Sequence, residues 1–412
     1  MGAEDPGRLI LFVGVQDTLD IFTKELYKSF QAIGYECLLF DTKTIPQGLS
    51  TLSSFLEKPV KAAIGFNNLG FNMEIIPGQN IWDSLGIPFI NILVDHPFCY
   101  DKALSQAPSS AIVLTIDKNH MDYINRFYPA IGTTGFLPLA GLTKCESPKA
   151  IKDRSIDVIY LGGTSRPFIE QVRPDYKKYD FNARKIGDEA YDKMLHDSSL
   201  TTENAVEQAL LDHKISMSDD ELRIFLYDMR YIDMMIVTYY REAVLEALAR
   251  FGIKLSIYGV GWDGCDWINL PNVDFHHRIP ASETYALMEE SKIILSTMTW
   301  FKEGAHDRIY SGMLAKSCVV SDTSKFMKDN YKYYPKNDAS DAELAMFELY
   351  ETDKLPQLVK SLLSDNDLMQ TIADNGLRRA KLTDTWSARA MELHRDLLSP
   401  PTWSSSGCVA TM

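Results

Sequence analysis

Apolar positions along the chain fall into two repeating rhythms. Short apolar runs at 8–15, 36–41, 61–66, 88–94, 111–116 and 135–139 predict strands. Between the first two, Leu19, Phe22, Leu26, Phe30 and Ile33 step by three or four, which is one buried helical face, and Gly34 marks its stop. Repeated strand–helix–strand units predict a parallel sheet with helices on both faces. The rhythm restarts near Ser155, where SIDVIYLGG (155–163) reads as a buried strand running into two glycines. Residues 166–250 are polar at first, helical in propensity and poor in strands. Strands then resume at 254–258, 273–275, 292–298 and 317–320, separated by helical segments near 282–290, 306–316 and 325–330. A last helix at 384–398 brings Trp386, Ala390, Leu393 and Leu397 to one face.

The economical reading is an α/β fold of two doubly wound Rossmann-like domains, 1–145 and 146–383. The second carries a helical insertion at about 166–250; a helix at 384–399 and a tail at 400–412 follow. The tail has turn and linker composition, is expected to be disordered, and carries no functional weight. Ligands of such sheets bind beyond the carboxyl ends of the strands, where strand order reverses. With two such units, the cleft between them is the expected site.

Composition narrows the function classes. The 42 basic and 56 acidic residues give a net charge of −14, which argues against nucleic-acid binding as the main activity. Six cysteines at 37, 99, 145, 265, 318 and 408 form no CxxC pair and no zinc spacing, as expected of thiols in a reducing compartment. The start lacks a basic n-region, and no run of about 18 apolar residues predicts a membrane span. A cytoplasmic location is expected.

Candidate chemistry concentrates in SKIILSTMTWFKEGAHDRIYSGMLAKSCVVSDTSKF, residues 291–326. Lys302 to Asp307 form the predicted loop entering a helix. Gly304 and Ala305 permit close backbone approach, and free N–H groups at a helix start attract anions. Arg308 suits bidentate pairing with a phosphate, while Glu303, His306 and Asp307 offer acceptors for sugar hydroxyls. A capped helix with Arg308 in a surface ion pair is the plainer alternative.

Other strand ends point the same way. Gly162, Gly163, Thr164 and Ser165 follow the first strand of the second domain, with Arg166 in reach of a phosphate. This is no GxGxxG fingerprint, so no dinucleotide cofactor is indicated. Tyr258, Gly259 and Gly261 end a strand where a diphosphate or base would approach; a simple glycine turn is the alternative. His276 and His277 stand where a base edge would lie, with packed or surface histidines as the alternative. In the first domain, Gly14, Gln16 and Asp17 form the first strand–helix loop. Asp95 and His96 end a strand where an acceptor hydroxyl would be deprotonated, or form a structural pair before Pro97.

EGAHDRIYSGMLAKSCVVSDTSKF resembles the donor-domain signature of a bacterial glycosyltransferase family, grouped with spore-coat maturation proteins and with flagellin or cell-surface glycosyltransferases. LSIYGVGWD, NVDFHH and SKIILSTM resemble the same family in the same order, as do DHPFCY, TIDKNHMDYINRFYP and FLPLAG in the first half. The resemblance spans most of the chain outside 166–250 and the tail. It implies a GT-B fold, a nucleotide-sugar donor (a UDP-sugar above all) in the second domain, and a protein or glycan acceptor at the first. It also implies a helix around Trp386 packing back on the first domain, and no cofactor or metal. No DxD motif is placed like a metal ligand; Asp263 and Asp266 are the nearest, and loop polarity accounts for them. Retaining GT-B enzymes often carry two glutamates seven residues apart. Glu303 matches the first and Ser311 stands at the second, which leaves the stereochemical outcome open.

Two other readings remain. One is a related sugar-nucleotide enzyme, such as an epimerase, or a phosphorylase, whose pyridoxal-phosphate lysine site is not identifiable here. The other is a non-catalytic two-lobed binder of a sugar or nucleotide. The stretch DDELRIFLYDMRYIDMMIVTYYREAVLEALARFG reads as one helix apolar on more than one side, which fits a buried core or a homodimer contact.

Overall fold

The computed structural model describes residues 6–14 and 17–399. The chain divides into two compact units, one running to Ala140 and resuming at Asp384, the other Gly141–Thr383. In the first unit the strands are β1 (Arg8–Val13), β2 (Glu36–Asp41), β3 (Ala62–Phe66), β4 (Glu74–Ile76), β5 (Gln79–Asn80), β6 (Phe89–Leu93), β7 (Ala111–Thr115) and β8 (Thr133–Phe136). Six of them form a parallel sheet in the order β2-β1-β3-β6-β7-β8, while β4 and β5 pair antiparallel apart from it. Strands β3, β6 and β7 are buried along their whole length, as expected of a sheet covered on both faces. The helix Asp17–Ala32 lays Leu19, Phe22, Leu26 and Phe30 onto the sheet, and Gly34, at φ +100°, lets the chain turn back into β2.

The second unit contains β9 (Ile156–Leu161), β10 (Leu255–Tyr258), β11 (Val273–His276), β12 (Ser291–Ser296), β13 (Cys318–Asp322), β14 (Tyr333–Tyr334) and β15 (Leu344–Phe347). Their order is β11-β10-β9-β12-β13-β15-β14, all parallel. Strand order reverses between β9 and β12, so the residues following these two strands flank the opening where such sheets take ligands.

The connection from β9 to β10 carries the helical insertion: helices Ala183–His196, Thr202–Asp212, Asp219–Met229 and Tyr231–Arg250. The single helix expected over 219–252 is two. The chain bends at Arg230, whose guanidinium donates back to Tyr227 O at 2.6 Å and lies over the Tyr227 ring, ending the first helix from within. A capping box of Ser218 and Glu221 starts that helix. Tyr231, Ile232, Ile236 and Tyr240 are buried inside the unit, whereas Tyr227 and Tyr239 are exposed.

The last helix, Trp386–Leu393, runs into a wider turn, His394–Leu398. Trp386, Ala390 and Leu393 are buried as the spacing predicts, but the next buried position is Leu398 and not Leu397. A π-type turn takes up one extra residue, which shifts the buried face by one. Trp386 packs against Phe22 and Phe66, with ring centroids 5.0 and 5.9 Å away. Arg389 is buried beside it, donating to Leu139 O and to the carboxylates of Asp384 and Glu392.

Elsewhere the predicted strand ends lie within two residues of those observed, except β8, which begins two and ends three residues earlier than expected. The β4–β5 hairpin, β14 and β15 have no counterpart in the sequence reading. β15 is only LAMF, and its setting, ELAMFELYE, spaces apolar residues as well for a helix as for a strand. Replacing Trp386 by Ala should lower unfolding free energy by about 3–5 kcal/mol, measured by denaturant titration, because the two phenylalanines cannot close the void.

Candidate functional site

The carboxyl ends of β9, β10 and β12 bring three loops of the second unit together. After β9, Gly162 N–H still donates to Tyr258 O at 2.8 Å and Thr164 N–H to Val260 O at 2.9 Å, so the loops after β9 and β10 continue the ladder. Glycine is required here by backbone approach. A Cβ on Gly259 would stand 2.2 Å from Gly162 O, and one on Gly163 would stand 2.5 Å from Val260 O. Gly261 sits at φ +87°, and the Thr164 hydroxyl donates to its carbonyl. These glycines and Thr164 are thus accounted for by the packing of the two loops on each other. Arg166 is half exposed and ion-paired with Glu242 on the insertion. Tyr258 stacks on His276 at 4.4 Å, and His277 meets the edge of Phe275.

The loop after β12 leads into the helix Asp307–Leu314. His306 caps that helix: its Nδ1 lies 3.2 Å from the Arg308 N–H and 2.8 Å from Asp307 Oδ1. One nitrogen cannot accept from the first and donate to the second. The shorter contact to a carboxylate favours a proton on Nδ1. Burial depresses the His306 pKa against the pull of Asp307, which keeps the imidazole neutral near pH 7. Burial pushes the Asp307 carboxyl up, but His306 and Arg308 outweigh it and hold it below its usual range. Ile309 N–H donates to His306 O. Ile309 N–H is thus met from within, while the Arg308 N–H, with the proton on Nδ1, is not accepted by His306.

What distinguishes this place is Arg308. Among the described residues no carboxylate forms an ion pair with it; Asp307, turned to His306, reaches it only through its charge. Its Nη1 is sealed from solvent and has no hydrogen-bond partner, and its guanidinium lies 5.8 Å from the centre of the Tyr160 ring. Burial lowers its pKa, and the neighbouring Arg241 lowers it further. A buried donor left unmet costs roughly 1–3 kcal/mol.

The remaining residues predicted from sequence are placed as follows. Lys302 Nζ donates to Ser198 O and Thr299 O at 2.6 Å each, which ties the loop to the insertion. Glu303 is half-buried, with Lys325 Nζ at 3.4 Å. Gly304 and Ala305 are buried, and Gly304 O accepts from the Ser324 hydroxyl at 2.6 Å. Ser311 is buried and its hydroxyl accepts from Leu142 N–H at 3.0 Å, so the group expected to meet a ribose is occupied inside the unit. Asp266 pairs with Arg250 at 3.0 Å. Among the described residues no three His, Cys, Asp or Glu side chains gather into a metal site. No helix there is long and apolar enough to cross a membrane.

In the first unit, Gly14 is fixed by conformation: φ is +125°, a Cβ would stand 2.6 Å from Asp41 Oδ1, and its N–H donates to Asp20. Gln16 lies outside the described residues. Asp95 and His96 part company. His96 caps the short turn Pro97–Tyr100 and stacks on Phe98 at 3.8 Å, beside the buried His120. Asp95 is exposed, and its Oδ2 accepts from Asn67 Nδ2 at 2.8 Å and the Tyr100 hydroxyl at 2.7 Å. Asn67 and Asn68 hold left-handed backbones at φ +46° and +65°, supported by side-chain bonds to Val94 N–H and Asn91.

Sequence reasoning missed three groups. Arg241, on the helix Tyr231–Arg250, lies beside Arg308 although 67 residues separate them in the chain. Trp300 stacks beneath the Arg241 guanidinium at 4.7 Å. Asp322, at the end of β13, is fully buried; Oδ1 accepts from Met298 N–H at 2.8 Å, and Oδ2 has no partner. No local spacing marks Asp322, Arg241 or Trp300 in the chain.

Burial raises the Asp322 pKa from 3.8 to about 7. A carboxyl whose folded pKa is raised favours the folded state while protonated, and that contribution is lost as pH rises towards 7. Wild-type stability should therefore fall between pH 4 and 7 relative to Asp322→Asn, as read by denaturant unfolding of both proteins across that range.

No curated protein matches the chain. Residues 241–395, less than half of it, match the family profile described as "Glycosyl transferase-like". Among solved structures it is similar to an alpha-glucosyltransferase in complex with UDP, at 12% identity and a TM-score of 0.52 over 96% of this chain and 100% of that one. Sucrose-phosphate synthase from Thermosynechococcus elongatus aligns at 10% identity and a TM-score of 0.50, covering 94% and 98% of the two chains. A glycosyltransferase involved in avilamycin A biosynthesis aligns at 11% identity and a TM-score of 0.50, covering 96% and 99%. With the two parallel sheets of six and seven strands, these likenesses establish that the chain has the GT-B glycosyltransferase fold.

Proposed function

We propose that this chain is a glycosyltransferase that takes a sugar from a nucleotide-sugar donor, with a UDP-sugar first in order. The observation that carries the reading is Arg308, a guanidinium without a carboxylate partner and with a buried N–H unmet, where strand order reverses in the second sheet. The family profile covers Arg308 and the whole 302–311 segment, and one structural neighbour was solved with UDP.

As the bond from the anomeric carbon to the β-phosphate oxygen breaks, its electron pair stays on the leaving nucleoside diphosphate. Arg308, already in place, stabilises the growing charge without reorganisation. Glu303 is the acceptor for donor hydroxyls on the same loop. With guanidinium balancing the diphosphate, no divalent metal is required. In the first unit Asp95 is the candidate to receive the proton of an acceptor hydroxyl. Its Oδ2 is anchored by Asn67 and Tyr100, and the residue is exposed. The acceptor is a protein or glycan hydroxyl.

Incubation with UDP-, GDP- and dTDP-sugars should release nucleoside diphosphate from one of them, in EDTA as in its absence. Arg308→Ala should lower that release by about a hundredfold or more. Wild-type release by Arg308→Ala would remove Arg308 from the mechanism. Thermal stabilisation by a nucleotide-sugar with no release would instead make the protein a binder.

A further inference from the structure

We infer that Arg241 is a second ligand for the donor diphosphate, forming with Arg308 a guanidinium pair that holds its two phosphates. The inference rests on the nucleotide-sugar reading above and names a residue of that site which lies in the helical insertion.

Three observations carry it. First, Arg241 reaches both sides of the reversal in strand order. Its Nη1 donates to Gly163 O, in the loop after β9, and its guanidinium lies 4.7 Å from the centre of the Trp300 ring, in the loop after β12. The ring fixes the plane of the guanidinium, and a cation over an aromatic face is favourable. Second, among the described residues Arg241 makes no ion pair. Glu242, its neighbour in sequence, is turned to Arg166 and to Cys265, and the Arg241 Nε–H is buried without a partner. Third, Arg308 is close enough for the Arg241 charge to lower its pKa, and it too has a buried N–H unmet. Its Nη2 comes within 3.5 Å of the space a Gly162 Cβ would fill, so both guanidiniums converge on the glycine pair after β9.

Two adjacent cations with unmet donors and no carboxylate between them repel until an anion of more than one charge lies across them. Guanidinium forks match phosphate oxygens bidentately. A purely structural Arg241 would spend its donors on the protein, as Arg154 does. That buried guanidinium gives hydrogen bonds to Lys149 O, Ser291 O, Ala315 O and the Ser317 hydroxyl.

The test is calorimetric titration of UDP and UMP into the full chain and into Arg241→Gln, Arg241→Lys and Arg308→Gln, with thermal melting of each. Wild type should prefer UDP to UMP, and Arg241→Gln should weaken UDP about tenfold or more while UMP changes less, so that the preference narrows. Arg241→Lys, which keeps the charge but not the fork, should fall between. If Arg241→Gln weakens UDP and UMP equally, or leaves UDP within twofold of wild type, Arg241 is structural and the pair is wrong. Loss in Arg308→Gln alone would then leave the transferase reading standing. If wild type binds neither UDP nor any of GDP and dTDP, that reading falls, and this inference with it.

Discussion

A parallel sheet opens all its strand ends on one edge, and in the second unit the order of strands reverses there between β9 and β12. Ligands of such sheets bind at this reversal, beyond the carboxyl ends of the strands. The rest of the site depends on that constraint. The loop after β9 can lie flat on the loop after β10 because Gly162, Gly163 and Gly259 bring backbone against backbone. The loop after β12 enters the helix Asp307–Leu314 beside them, which sets Arg308 against Tyr160 of β9.

Polar partners are distributed around this gap with one consistent omission. Asp307 serves His306, Glu242 serves Arg166, Asp266 serves Arg250, and Lys302 is tied down by carbonyls. Among the described residues Arg241 and Arg308 form no ion pair, although the charge of Asp307 reaches Arg308. Removing charges from water without pairing them is unfavourable, and a chain with 56 acidic residues has no shortage of carboxylates to supply. Under the proposed function, the donor diphosphate supplies the missing charge.

The insertion has a part in this arrangement beyond adding bulk. Its last helix is the crossover that every strand–helix–strand unit needs, and it runs long enough to carry Arg241 back to the open edge. Ser198, in the loop before the helix Thr202–Asp212, receives Lys302 from the loop after β12. A segment that reads as an addition to a standard unit is thus bonded into the loop that leads to Arg308.

Much of the architecture was legible in the chain. Period-two and period-three-to-four spacing placed most strands within two residues, the restart near Ser155, the helical stretch and the buried face of Trp386, because local burial alternates with the geometry of the element. The short strand β15, the bend at Arg230 and the shift from Leu397 to Leu398 were not legible, since each depends on packing against distant residues. At the site, the sequence pointed to the 302–311 segment and Arg308 by local chemistry that a capped helix would also explain, together with a family resemblance. It gave no sign that Ser311 would be occupied by Leu142, that His96 would be a cap while Asp95 stays exposed, or that Arg241, Trp300 and Asp322 would gather near that segment. Those outcomes belong to tertiary structure, for a physical reason: spacing along the chain fixes which residues share a face of one element. Which charge is left unpaired is decided only when elements far apart in sequence meet.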